Sequence, residues 1–194
     1  MSTSCIPQCA QTARTTWFGY LGALAFTFIS VIRVQDVDYF SADATTQLPI
    51  VNLAVPVESF MWAGALLLTV VFGYLHVFLE LIWYDLGKIT SRYKGRPISG
   101  HVQPWLITEL GLNIRLIMRA GKEAPCHRPS ILGLVGVGVS GFLGWIAAPL
   151  LVGFFWFRSM PAHDLQLTML NGFLFWLTLL ISVLSFFAMR RKMK

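Results

Sequence analysis

The sequence predicts an all-α membrane protein with four transmembrane helices, and three observations support this fold class. Hydrophobic residues make up 56% of the 194 residues and charged residues only 12%, whereas a water-soluble domain carries about a quarter charged residues. The charges are clustered, which leaves four long segments almost free of them. These segments are too long for the strands of a membrane barrel and lack their alternation of apolar and polar residues. A chain of this length forms one domain, so we expect a single four-helix domain over residues 1–194.

The four segments have the lengths that transmembrane helices require. A helix needs about 20 apolar residues to cross the hydrocarbon core. The first segment is therefore near the lower limit, and the other three are long enough to tilt. A soluble helical core is the alternative, but soluble helices of this length have polar faces, which these segments lack. The predicted spans cover residues 17–34, 60–84, 131–157 and 165–189.

The first predicted span is distinguished from a cleaved signal peptide by its flanking residues. Trp17 and Tyr20 open it, and Arg33 follows it, with acidic residues after that in place of a small-residue cleavage site. We therefore expect this helix to be retained.

The basic residues predict that both termini face the cytoplasm. Of the 15 Lys and Arg, all except Arg33 and Arg158 fall on one side of the membrane if the spans are correct. Those on the common side precede the first span, occupy the loop of residues 85–130 and form the C-terminal tail. Cytoplasmic segments carry an excess of Lys and Arg, so we expect the N terminus, this loop and the tail in the cytoplasm. The net charge of +6 is then a cytoplasmic feature that suits anionic lipid better than nucleic acid.

The loop of residues 85–130 is too long for a plain connector, and its second half has the pattern of an amphipathic helix. From Pro104 to an expected stop at Gly121, apolar side chains fall on one helical face, and Arg115, Arg119 and the adjoining Lys122 recur at helical spacing on the other. A helix this short and charged is expected in the cytoplasmic interface of the membrane and not across it. Packing beneath the bundle as a lid is compatible with this position, and the sharper hypothesis is that the helix binds a protein partner or anionic lipid through these three basic residues.

Two ionisable residues, His76 and Glu80, lie one turn apart in the second span and therefore on the same helix face. Ionisable residues inside a span are costly and tend to face the bundle interior or water. One interpretation is a hydrogen-bonded pair near the headgroups. The other is a pH-responsive switch, because histidine changes its charge near neutral pH. No string of ionisable residues continues across the membrane, which disfavours a dedicated ion path.

The third span carries small residues at every fourth position: Gly136, Ser140, Gly144 and Ala148. Such a ladder gives a smooth helix face that a neighbouring helix can approach closely. Packing within one subunit and packing between subunits both fit this pattern. Pro149 follows directly and is expected to kink the span.

Enzyme signatures are not found in the sequence. It contains no phosphate-binding glycine loop, no His-Glu-x2-His and no Gly-x-Ser-x-Gly. Cys5, Cys9 and Cys126 would all face a reducing compartment, so disulfides are not expected. Their spacing, together with His127, is too irregular to predict a zinc site. We therefore predict a protein that is not an enzyme and has no cofactor and no metal.

Two segments of the first half resemble the membrane region of some bacterial pentapeptide-repeat proteins. They are residues 46–57 (TQLPIVNLAVPV) and, within the second span, residues 74–83 (YLHVFLELIW). The chain contains no pentapeptide repeat, so the function of that appended module is not carried over. The resemblance implies an integral protein of the bacterial cytoplasmic membrane that acts as a module of something larger, and it supplies no catalytic residues.

These observations together predict a non-enzymatic membrane module that anchors, senses or signals through its basic cytoplasmic loop. Its expected partners are membrane lipids and either further copies of itself or a soluble cytoplasmic protein, and direct contact with nucleic acid is not expected. A bacterial stress or antiviral defence system is the expected setting. The alternative function is a small oligomeric channel or transporter. An enzyme would need a site around His76 and Glu80 that the sequence does not complete.

Overall fold

The computed structural model describes residues 5–34, 45–47, 54–88, 92–93, 96–97 and 131–193. Within these residues the chain is almost entirely helical. A π-helical segment, Phe142–Ile146, joins the helix that ends at Gly141 to the helix that begins at Ala147 without a break. The helices are α1 (Cys5–Arg33), α2 (Val57–Lys88), α3 (Ile131–Gly141), α4 (Ala147–Ser159) and α5 (Leu165–Met193).

In the described part of the chain, four helical stretches are long and apolar enough to cross a membrane. They lie close to the predicted boundaries, and the prediction of a multi-pass, all-α membrane protein is confirmed at this level. The third stretch combines the end of α3, the π-helical segment and α4 into one continuous helix. The first to fourth spans are Arg14–Arg33, Val57–Leu81, Val135–Ala162 and Leu165–Arg191.

The second span lies at the centre of the helix packing. It contacts the first span on one side and the fourth on the other, and the fourth packs in turn against the third. The first and third spans contact each other less extensively. The resulting core contains large aromatic side chains, among them Tyr20, Phe72 and Phe155, which are completely buried.

The outward surface of the bundle is apolar. Phe28, Val70, Leu150 and Phe173, one from each span, are all more than half exposed. Exposed apolar surface of this extent marks a membrane or protein contact and is rare on soluble monomers. This surface is suited to contact with lipid.

The third and fourth spans approach closely where a glycine on each faces an aromatic ring of the other. A Cβ atom at Gly153 would lie 3.0 Å from the ring of Phe175, and one at Gly172 would lie 3.1 Å from the indole of Trp156. These two rings stack on each other with centroids 5.5 Å apart. Close van der Waals packing of this kind drives helix association in lipid, where the hydrophobic effect between helices is lost.

A tight turn connects the third and fourth spans. A 3-10 turn, Met160–Ala162, is followed by His163 with the left-handed φ of 52°. The Asp164 carboxylate then accepts a hydrogen bond of 2.8 Å from the backbone N–H of Gln166. This bond satisfies one of the free N–H groups at the start of α5. The two spans are therefore antiparallel neighbours with almost no chain between them.

Two short antiparallel pairs of strands lie in the connections that the structure describes. In the first, β1 (Thr45–Gln47) pairs with β2 (Ala54–Pro56), which leads directly into α2. In the second, β3 (Arg92–Tyr93) pairs with β4 (Arg96–Pro97). The first pair occupies the segment between the first two spans, and the second begins the basic loop.

Candidate functional site

His76 lies in the core of the bundle, where its side chain is only 4% exposed. Its Nδ1 atom is 3.0 Å from the carbonyl oxygen of Phe72, one turn earlier in the same helix. Because a carbonyl only accepts hydrogen bonds, Nδ1 carries the proton and, in the neutral ring, Nε2 carries the lone pair. Nε2 is buried and has no hydrogen-bond partner among the residues described.

Aromatic rings surround this histidine and connect two spans. The ring of Phe72 lies 4.1 Å from that of His76, and Trp145 of the third span meets it edge-on at 5.9 Å. Trp83, two turns further along the second span, stacks on Trp145 at 6.5 Å. We call these four residues the aromatic cluster. The indole N–H groups of both tryptophans are buried and, like His76 Nε2, make no hydrogen bond within the described part.

Glu80 lies one turn beyond His76, as the sequence predicted, but the two side chains have different surroundings. His76 is buried, whereas Glu80 is exposed on the surface of the helix. The predicted hydrogen bond between them is not present, because Nδ1 bonds to the Phe72 carbonyl and Nε2 has no partner among the described residues. The role of the two residues as a pH-responsive switch stays a prediction.

The third span changes its helical type beside the aromatic cluster. In the π-helical segment the N–H of Ala147 bonds to the carbonyl of Phe142, five residues back. Four residues after Trp145 comes Pro149, which has no N–H to offer the Trp145 carbonyl. The Ser182 hydroxyl of the fourth span donates to that carbonyl instead, at 2.8 Å.

The first span supplies a second hydroxyl to the same segment. Tyr20, which is completely buried, donates to the carbonyl of Leu143 at 2.7 Å. The Tyr20 hydroxyl thus bonds to the backbone within the π-helical segment, and a side chain that bonds to helix backbone in this way is one of the recognised causes of local helix distortion. Single π-helical turns inside α-helices are often found at functional sites.

All four spans meet at this level of the bundle. Tyr20 comes from the first, His76 from the second, Trp145 from the third and Ser182 from the fourth. Sequence reasoning singled out only His76. Pro149 was an available signal for Ser182, because a proline predicts a free carbonyl four residues earlier, here that of Trp145, and therefore a polar donor on a neighbouring helix. No comparable signal pointed to the bond between Tyr20 and Leu143.

The small-residue ladder of the third span is placed partly within the subunit. A Cβ at Gly144 would lie 3.6 Å from the ring of Trp17, and Ala148 is completely buried in the core. Ser140 is also buried, whereas a Cβ at Gly136 would meet no described atom within 4 Å. Gly144 and Ala148 therefore face neighbours in their own chain.

The basic residues predicted to bind a partner or anionic lipid, Arg115, Arg119 and Lys122, lie outside the described residues. The same is true of Cys126 and His127. Among the residues that are described, no three His, Cys, Asp or Glu side chains are grouped so that they could hold a metal ion.

Comparisons with protein-family models, with curated proteins and with solved structures gave no significant match.

Proposed function

We propose that this protein is a non-enzymatic membrane module that senses and signals through its basic loop, residues 85–130. The observation that carries the proposal is the contact between His76 and Trp145. This contact joins the second span to the third, and the basic loop connects the same two spans. A change in the aromatic cluster would therefore alter the relative position of the two helices from which the loop emerges.

The proposed orientation places the N terminus, the basic loop and the tail in the cytoplasm, in accordance with the bias of Lys and Arg. In the proposed arrangement the amphipathic segment of residues 104–121 lies in the cytoplasmic interface, where Arg115, Arg119 and Lys122 contact anionic lipid, a soluble protein or another copy of the chain. The resemblance to membrane regions of pentapeptide-repeat proteins favours the bacterial cytoplasmic membrane, and a stress or defence system is the proposed setting.

Three hydroxyl groups buried in the first two spans are bonded within their own helices, which favours a packed module over a channel. Thr27, Ser30 and Thr69 each donate to a carbonyl one turn back in their own helix, at 2.7, 2.8 and 2.8 Å. The protons of these hydroxyls are engaged by the backbone, whereas the buried hydroxyls of Ser140 and Ser185 in the third and fourth spans have no hydrogen-bond partner among the described residues. Ion flux through purified protein in liposomes would contradict the proposal and support the alternative of an oligomeric channel.

The proposal is tested by charge reversal in the loop with a matched reversal in the tail. Changing Arg115, Arg119 and Lys122 to Glu should weaken binding to anionic liposomes and to a co-purifying protein, by about 1 kcal/mol for each basic residue near the membrane surface. Changing Arg190, Arg191 and Lys192 to Glu makes the same change of charge elsewhere and should have a smaller effect. If the loop variant and the tail variant bind anionic liposomes and the co-purifying protein equally well, the loop is not the binding element and the proposal is contradicted.

A second variant tests whether the aromatic cluster controls partner binding by the basic loop. The double change His76→Leu with Glu80→Leu removes both ionisable groups together, so neither is left alone in the membrane. This variant should assemble as the wild type does and still lose partner binding or biological activity. Normal assembly with full activity would make the pair a structural element only.

A further inference from the structure

An apolar groove of about 620 Å³ runs along the surface between the first and third spans. The first span contributes Leu21, Ala25 and Phe28 to its walls, and the third contributes Ala147, Leu150 and Phe154. The groove exists because the first span packs mainly on the second and the third mainly on the fourth. This leaves the first and third spans apart over part of their length.

Two polar contacts between these spans close the groove at its ends. Near the middle of the bundle, the bond from Tyr20 to the Leu143 carbonyl holds the helices together. At the far end, the guanidinium of Arg158 donates to the carbonyl of Val34, directly after α1. The groove lies between these two contacts and is open towards the surrounding membrane.

The length of the groove matches one leaflet of a bilayer. With a rise of about 1.5 Å per residue, the stretch of α1 from Leu21 to Ile32 that lines the groove is about 17 Å long. Half of a hydrocarbon core of about 30 Å is about 15 Å. A transmembrane helix of a second copy needs a groove across the full thickness, whereas the acyl chain of a lipid needs only one leaflet.

Positive charge lies at the end of the groove where a lipid headgroup would be. Arg33 is exposed beside Ile32, and Arg158 lies one turn beyond Phe154. These are the only basic residues of the sequence that fall on this side of the predicted spans. A guanidinium group binds phosphate with good geometry.

We propose that this groove binds one phospholipid of the adjoining leaflet, with an acyl chain between the first and third spans and its phosphate beside Arg33 and Arg158. In the orientation proposed above, this is the outer leaflet. The site does not depend on signalling by the basic loop, so its test is independent of the proposed function.

The test is native mass spectrometry of the detergent-purified protein titrated with palmitoyl-oleoyl phosphatidylglycerol. The wild type should reach saturation with one tightly retained lipid. Ala25→Trp places a large ring in the groove from an exposed position, so the core is left intact, and it should weaken retention at least tenfold. Ala63→Trp makes the same substitution at an exposed position of the second span outside the groove and should bind as the wild type does.

The headgroup is tested separately with Arg33→Gln. This change should weaken binding of phosphatidylglycerol about fivefold, as expected for one surface cation, and Arg190→Gln at the opposite end should leave binding unchanged. Equal retention by the wild type and Ala25→Trp would overturn the proposal. So would a dimer that Ala25→Trp converts to monomer without any change in lipid binding, because a second copy would then occupy the groove.

Discussion

Tyr20 and Ser182 donate hydroxyl groups to backbone carbonyls of a helix to which neither belongs. In hydrocarbon no water is available for a carbonyl that its own helix leaves free. Hydrogen bonds between membrane helices contribute about 0.6 kcal/mol on average and up to about 1.7 kcal/mol. At the scale of single residues, these two side chains therefore give the third span hydrogen bonds that its own helix does not supply.

The Tyr20 bond can be tested by removing one oxygen atom. Tyr20→Phe keeps the buried ring and leaves the Leu143 carbonyl without its donor, so the free energy of unfolding should fall by about 1 kcal/mol. The measurement is unfolding in mixed micelles with increasing dodecyl sulfate. Tyr74→Phe removes a hydroxyl from a ring that is 55% exposed on the second span and should have almost no effect. Equal destabilisation by the two variants would show that the bond to Leu143 is not important.

At the scale of elements, the third span combines a π-helical segment with a proline that cannot donate. The Trp145 carbonyl accepts from Ser182 because Pro149 offers no N–H. The two features should therefore be energetically coupled.

A double-mutant cycle measures that coupling. Ser182→Ala should destabilise the wild type by about 1 kcal/mol, but less in a Pro149→Ala background, where residue 149 has a backbone N–H for the Trp145 carbonyl. Thr178→Ala is the control, because Thr178 donates to Phe175 in its own helix at 2.8 Å, and its effect should add to that of Pro149→Ala. Strict additivity for Ser182 as well would contradict this account.

The elements were predictable from the sequence to different degrees. The four spans follow from long runs without charge, because hydrocarbon excludes charged side chains whatever the details of packing. The π-helical segment has no such signal, since the hydroxyl groups that donate to its carbonyls belong to other spans. Tyr20 lies 123 residues from Leu143. His76 could be identified because an ionisable residue is rare within a span. The contact of the Trp145 ring with His76 could not, because a tryptophan in a membrane helix is ordinary.

At the scale of the whole molecule, the distribution of Lys and Arg determines how the bundle should be oriented. A reporter that is active only in the cytoplasm should give signal when it is fused after Lys194, and also when it is inserted near Gly95 in the basic loop. The physical reason is that loops rich in Lys and Arg are retained on the cytoplasmic side. Activity of a periplasmic reporter at either position would reverse the orientation. The groove proposed to bind phospholipid would then face the inner leaflet.

The carbonyls of Leu143 and Trp145 have a consequence for how the protein is made. During synthesis the third span leaves the ribosome before the fourth, so the Trp145 carbonyl reaches the membrane ahead of its donor, Ser182. The Leu143 carbonyl can be bonded earlier, because Tyr20 is already in the membrane. On its own, the third span leaves the Trp145 carbonyl without a hydrogen bond. This carbonyl is bonded only after the fourth span, which follows the tight turn at His163, has packed against the third. Insertion of these two spans as a hairpin is the order of assembly that leaves the fewest carbonyls without a donor in lipid.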